Sequence, residues 1–188
     1  MDLATEFKRI ATENIHRDGI EDLLKWLDDT DFYTAPASTK YHGAFEGGLV
    51  NHSLNVYSQL KKLVAFYGIK ATAESIAIVS LFHDLCKVGF YKPEMRWRKD
   101  ANNQWEQYAT WKVDEDYAFG GHGSKSVFMV QSFMQLTLDE ASAINCHMGS
   151  WDMSNYSNPS QVFERNHLAW LLHVADEAST YIVESRKE

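Results

Sequence analysis

The chain has 188 residues, 45% hydrophobic and 13% aromatic, with 18 Lys and Arg against 26 Asp and Glu for a net charge of −8. This length and apolar content suit one domain with a substantial core and argue against disorder. The acidic balance excludes an extended nucleic-acid-coating surface, but not a nucleotide held by a metal and one or two lysines.

The start, Met1-Asp2-Leu3-Ala4-Thr5-Glu6, is acidic and amphipathic, unlike a signal peptide. No apolar run approaches the roughly 20 residues that span a bilayer. The two cysteines, Cys86 and Cys146, sit in helical patterns and read as reduced thiols, so a cytoplasmic protein with no membrane partner is expected. Leu3, Phe7, Ile10 and Asn14, then Ile20, Leu23, Leu24 and Leu27, predict two amphipathic helices broken at Asp18-Gly19. Residues 28–47 lose periodicity and read as a long ordered loop containing Tyr41-His42.

Gly47-Gly48 opens a helix to about Tyr67, with an inward stripe of Leu49, His52, Val56, Leu60 and Leu63, closed by Gly68. The next helix runs from about Thr72 to Val88, is apolar nearly all round, and carries His83-Asp84 with Lys87 one turn on. Residues 95–99 and 104–113 alternate and are rich in aromatics, predicting a hairpin or flap over about 94–113. Its three tryptophans and Tyr108 suit either a lid that stacks on substrate or simple packing on the helical body.

Asp114-Glu115-Asp116 is a short acidic segment. Gly120-Gly121-His122-Gly123 follows, where glycines permit close approach of backbone to a ligand. It leads into a helix with Val127, Val130 and Met134 on one side, and Lys125 beside His122. A helix from Leu138 ends near Ile144 and His147, and Gly149-Ser150-Trp151-Asp152 begins a polar stretch to Pro159. The last helix, about Gln161 to Glu184, packs through Val162, Phe163, Trp170, Leu171, Val174 and Ala178 and carries Asp176; the tail from Glu184 reads as solvated. No repeat or linker divides the chain.

A buried aspartate is costly unless it is paired or binds a cation. Taken alone, His83-Asp84 is most simply a buried hydrogen-bonded pair. His52, His83, Asp84, His122, His147 and Asp176 all lie on helices or at helix ends, and one metal centre accounts for them together. Imidazole and carboxylate ligands suit one or two ions of Mn²⁺, Fe²⁺, Co²⁺, Ni²⁺ or Zn²⁺, with Mg²⁺ disfavoured. No Cys-x-x-Cys pair supports a structural zinc site.

The order of these residues resembles the HD-domain metal-dependent phosphohydrolase superfamily: a His, an adjacent His-Asp, and a distant Asp, each on a helix. Here the pattern reads Gly47-Gly48-Leu49-Val50-Asn51-His52, then His83-Asp84-Leu85-Cys86-Lys87, then His173-Val174-Ala175-Asp176. The segment around His52 is also similar to the HD domain of bacterial 3′→5′ exoribonucleases. The resemblance implies an all-α HD bundle with a small inserted hairpin, over one domain with N-terminal helices in 1–40 and the HD core in 41–182. It implies that His52, His83, Asp84 and Asp176 bind a first metal and that Asp84 bridges to a second held by His122 and His147. Cys86 replaces the glycine common at its position, and residues 1–40 read as too short and too helical for the OB-type domain of those exoribonucleases.

The implied activity is hydrolysis of a phosphate ester of a nucleotide or similar small molecule by metal-activated water, with Asp84 and Lys87 catalytic. A phosphodiesterase or exonuclease on short oligonucleotides or cyclic nucleotides, and a non-catalytic nucleotide-binding HD module, are the alternatives. Lys87, Lys125, His42 and Trp151 are the substrate-binding candidates, the last by stacking on a base. His173 reads either as a hydrogen-bond partner of a ligand carboxylate or as a core histidine.

Overall fold

The apolar periodicities become helices gathered around one core. The computed structural model describes residues 2–114, 119–151 and 159–185. Its helices are α1 (Leu3–Asn14), α2 (Ile20–Asp28), α3 (Gly48–Tyr67), α4 (Ala73–Phe82), α5 (His122–Gln131), α6 (Leu138–Cys146), α7 (Pro159–Arg165) and α8 (His167–Ala178). The one sheet among the described residues is an antiparallel hairpin of β1 (Tyr91–Lys99) and β2 (Trp105–Val113). The architecture is therefore all-α with a small inserted hairpin. Among the described residues, no helix is long and apolar enough to cross a membrane.

The central helix is α3, which packs against α4 on one side and α8 on another; α6 also lies on α8. At the N-terminal side, Phe7 meets Phe32 and Phe82 edge-on at 5.0 and 5.8 Å, seating α1 on α4. Burial of such rings is the main stabilising contribution available to a helical body of this size.

One polar clamp sets the relation of α4 to α6. Glu140 is buried, and its carboxylate closes a capping box with Thr137 at the start of α6. The same carboxylate accepts hydrogen bonds from Ser75 (2.7 Å) at the start of α4 and from Arg17 (2.6 Å), which also reaches Glu74 at 3.1 Å. Two helix N-termini are thus pinned together, and their C-terminal ends project side by side.

Three expectations need correction. The helix expected to run to Val88 stops at Phe82. Asp84 leaves helical geometry (φ −103°, ψ 21°) and Leu85–Lys87 form a tighter 3₁₀ turn. The single helix expected over 161–184 is three pieces: Asn166 breaks it by accepting hydrogen bonds from the Leu168 and Ala169 amides as the cap of α8, and Ser179–Val183 wind as a π-helix. Trp170 lies on the outer side of α8 and is exposed rather than packed in the core.

The hairpin starts at Tyr91, earlier than the alternation indicated. Tyr91 Oη donates to the Ala37 carbonyl and Thr110 Oγ1 to the Thr39 carbonyl, so the hairpin base rests on the 37–42 loop. Met95, Trp97 and Trp105 share its other, exposed end. The acidic residues 115–116, Asp152 with the polar stretch to 158, and the tail beyond 185 lie outside the described residues.

Candidate metal centre

The clamped helices α4 and α6 present one histidine each by the same device. His83 (φ −57°, ψ −36°) and His147 (φ −58°, ψ −34°) are the C-cap residues of their helices. Each engages its own helix through Nδ1, His83 with the Ser80 carbonyl (2.9 Å) and His147 with the Ile144 carbonyl (2.7 Å). A carbonyl only accepts, so Nδ1 carries the proton in both rings and Nε2 is left with its lone pair facing inward. His52, on the buried side of α3, completes the set, its Nε2 lying 3.3 Å from His83 Nε2.

Two carboxylates enter the same space. Asp176 comes from α8, with Oδ1 3.1 Å from His52 Nε2. Asp84 presents Oδ2 to His83 (3.4 Å), His52 (3.7 Å) and Lys87 (2.7 Å), and Oδ1 to His147 Nε2 (3.5 Å). Its two oxygens therefore face different histidines, the disposition a bridging carboxylate needs. Asp84 adopts it because the helix has already ended; on a continuous α4 its side chain would follow the helical stripe.

The donor set fits a cation. Asp84 Oδ1 and His147 Nε2 are buried and face each other at 3.5 Å, too far and poorly aligned for a good hydrogen bond, and buried polar atoms left so are costly unless something satisfies them. The ligand-type atoms of His52, His83 and Asp84, and those of His83, His147 and Asp176, each lie within 4.8 Å of one another. Bonds of about 2.1 Å give polyhedron edges of about 3.0 Å in an octahedron and 3.4 Å in a tetrahedron. The observed separations of 3.1–3.7 Å start just above the octahedral edge and span the tetrahedral one.

Without an ion the cluster holds itself together by protonation. Burial disfavours a charged His52, but hydrogen bonds to Asp176 and Glu184 outweigh it and push its pKa up to about 10. Burial would likewise raise Asp84 and Asp176. Lys87 and His83 hold Asp84 well below the usual carboxylate range, and the hydrogen bond to His52 does the same for Asp176. The sign of the pH dependence follows. His52 contributes stability to the metal-free protein that is fully present below its ordinary value of 6.5 and is lost as pH rises through about 10. A cation needs the neutral ring, so its uptake strengthens over the same window. Melting temperatures in EDTA should fall between pH 6.5 and 10, and saturating Mn²⁺ should flatten that fall; a rise in EDTA would contradict the assignment.

A cavity of about 340 Å³ opens over the cluster, with Asp84, Lys87 and Asp176 at its floor. Its rim carries Tyr41, Trp151 and Tyr181, which are 74%, 73% and 66% exposed and so leave ring faces accessible. The Lys87 side chain is 11% exposed; its Nζ is held by Asp84, and Asp84 keeps its pKa above the usual lysine value against the cost of desolvation. Glu177 lines the wall, its carboxyl raised by burial and by neighbouring Asp176.

Of the residues singled out in the sequence, the structure brings together His52, His83, Asp84, His147 and Asp176, with Lys87, His42 and Trp151 around the cavity above them. The His42 ring is tilted against that of His52 at 42°, with centroids 4.9 Å apart. His122 and Lys125 are placed elsewhere. His122 Nδ1 lies 3.4 Å from Cys86 Sγ and its ring meets Phe90, while Lys125 Nζ sits over the Phe90 ring. The reason is the close contact of α5 with α6: a Cβ at Gly123 would lie 2.2 Å from the Asn145 carbonyl oxygen, so the start of α5 presses on the end of α6 beside the cavity floor. His173 donates from Nδ1 to the His147 carbonyl at 2.6 Å, which ties α8 to the end of α6; it does not bond a ligand carboxylate. Trp97 and Trp105 do not line the cavity.

Sequence reasoning missed Glu184, read as solvated tail. Its side chain is 5% exposed and lies 3.1 Å from His52 Nδ1. No periodicity signals this, because the π-helix preceding it breaks the 3.6-residue pattern.

The HD domain family model matches residues 49–181, a span that contains His52, His83, Asp84, His147 and Asp176. No curated protein and no solved structure matches the chain.

Proposed function

The chain belongs to the HD domain family, whose members are generally metal-dependent phosphohydrolases, and on that premise we propose that it hydrolyses a phosphate ester of a nucleotide or a related small molecule. The observation that carries this reading is the pair of orphaned buried atoms, Asp84 Oδ1 and His147 Nε2, inside a five-residue His/Asp cluster at the floor of an open cavity. His52, His83, Asp84, His147 and Asp176 would hold one or two divalent transition-metal ions. When bound, such an ion supplies Lewis acidity that lowers the pKa of water and offsets charge on a phosphoryl oxygen.

The remaining work falls to residues of this chain. Lys87 keeps a fixed positive charge at the cavity floor, where it neutralises a phosphate oxygen. Glu177 lines the wall of the same cavity, its carboxyl raised by burial and by Asp176, a position that suits proton transfer to a leaving oxygen. Tyr41, Trp151 and Tyr181 offer ring faces to a base, which favours a nucleotide over a plain sugar phosphate. A cavity of about 340 Å³ suits one such molecule better than a polynucleotide track.

A panel of nucleoside mono-, di- and triphosphates, cyclic nucleotides and dinucleotides, assayed with added Mn²⁺, tests the reading. Phosphate release or diester cleavage that stops with EDTA is expected. A metal-loaded protein that binds nucleotides and turns none over would instead identify a binding module.

A further inference from the structure

All three cluster histidines have Nδ1 engaged, but not alike. His83 and His147 use backbone carbonyls of their own helices. His52 uses a carboxylate from the far end of the chain: Glu184 Oε1 and Oε2 lie 3.1 and 3.3 Å from its Nδ1. Asn55, one turn along α3 from His52, donates from Nδ2 to the same Glu184 oxygen at 2.9 Å. Asp176 meets the opposite nitrogen of the His52 ring. One imidazole is thus clamped between two carboxylates delivered by one continuous segment, α8 and the π-helix after it.

We propose that Glu184 is a positioning residue for His52, with Asn55 acting through Glu184. The carboxylate accepts the Nδ1 proton, leaves Nε2 as the donor to the cation and raises the basicity of that nitrogen. His52 needs this partner because it sits inside α3, beyond its first turn, where the nearby backbone carbonyls are already used by the helix ladder. His83 and His147 sit at helix ends, where carbonyls are free. The π-helix is what makes the reach possible: Glu184 N bonds to the Ser179 carbonyl at 2.8 Å, a five-residue step that brings the carboxylate back over α3. The same turn supplies Thr180 and Tyr181 to the cavity wall, so one short segment sets both a cavity wall and a ligand orientation.

The inference rests on the metal-centre reading, and the experiment separates the two. Affinity for Zn²⁺ is measured by competition against a chromophoric chelator for wild type, Glu184→Gln, Glu184→Ala, Asn55→Ala, the Glu184→Ala/Asn55→Ala double variant and Asp84→Ala, with the melting point of each metal-free form as a folding control. Glu184→Ala is expected to weaken binding about 10–100-fold without changing stoichiometry. Glu184→Gln retains an acceptor for the Nδ1 proton but no charge, and should fall between wild type and alanine. Asn55→Ala should cost less and add nothing in the double variant, because it acts through Glu184. The downfield Nδ1 proton resonance of His52 in the Zn²⁺-loaded protein should be present in wild type and lost in Glu184→Ala.

Affinity of Glu184→Ala within twofold of wild type would overturn the assignment. So would a full additive loss in the double variant, or the loss of one whole ion per chain, which would make Glu184 a ligand alongside His42. If Asp84→Ala binds Zn²⁺ as wild type does, it is the metal-centre reading that fails, and the Glu184 assignment with it.

Discussion

Asp84→Ala is expected to abolish tight metal uptake and to lower turnover by about 10³-fold or more, while the helical core survives. Asp84 faces both His52 with His83 and His147, through its two oxygens. Removing it deletes the carboxylate of the His52, His83 and Asp84 group and leaves His147 Nε2 without the oxygen it faces. A bound ion contributes several kcal/mol of charge stabilisation in phosphate hydrolysis, and each 1.36 kcal/mol is a factor of ten in rate. The fold should persist because the core of α1, α3, α4, α6 and α8 is apolar and the clamp at Glu140 lies at the other ends of α4 and α6. Wild type at 100 times the dissociation constant gains about 2.7 kcal/mol from the ion. That corresponds to a rise in melting temperature of roughly 5–10 °C for a chain of this size. The variant should show no rise. Circular dichroism, metal-dependent melting and turnover on the same preparation check all three parts.

The second large effect concerns Lys87. Lys87→Met should lower kcat/KM by about 10²-fold, the usual cost of losing one charged donor at a site of developing negative charge. The direction of the metal effect distinguishes this from simple damage. Lys87 Nζ lies 2.7 Å from Asp84 Oδ2 and competes with a cation for that oxygen. Its removal should leave Zn²⁺ affinity unchanged or tighter while turnover falls. A variant that loses metal and activity together would show that Lys87 holds Asp84 in place rather than meeting substrate. Methionine keeps the buried stem packed, so collapse of the site is not the trivial outcome.

The helices and the metal-type residues were legible in the sequence for different reasons. Phe7 and Ile10, or Leu49, Val56 and Leu60, repeat at helical spacing because each buries one side of a helix, and that spacing survives as burial in the fold, whereas Leu3 at the start of the same stripe is exposed. The cluster could be read because buried His52, His83 and Asp176 contradict their apolar surroundings, and such contradictions mark sites that need a partner. Geometry that departs from regular winding was not legible. The stop after Phe82, the Asn166 cap inside an apparently continuous helix, and the π-turn before Glu184 all alter where a side chain points without altering composition. For His122, which the resemblance implied as a second-metal ligand, the fold shows the ring against Phe90 and Nδ1 3.4 Å from Cys86 Sγ. The hairpin's aromatics suited a lid and packing on the helical body alike; its register puts Trp97 and Trp105 toward the turn, and neither lines the cavity.

The central claim is that His52, His83, Asp84, His147 and Asp176 form a metal centre. Its most direct test is the metal content of purified wild type and of Asp84→Ala after equilibrium dialysis against the same dilute Mn²⁺ or Zn²⁺ solution. The account predicts one or two ions retained per wild-type chain and a loss of at least one in the variant at matched folded content. Retention of the same number of ions by both proteins, or of none by wild type, would contradict it.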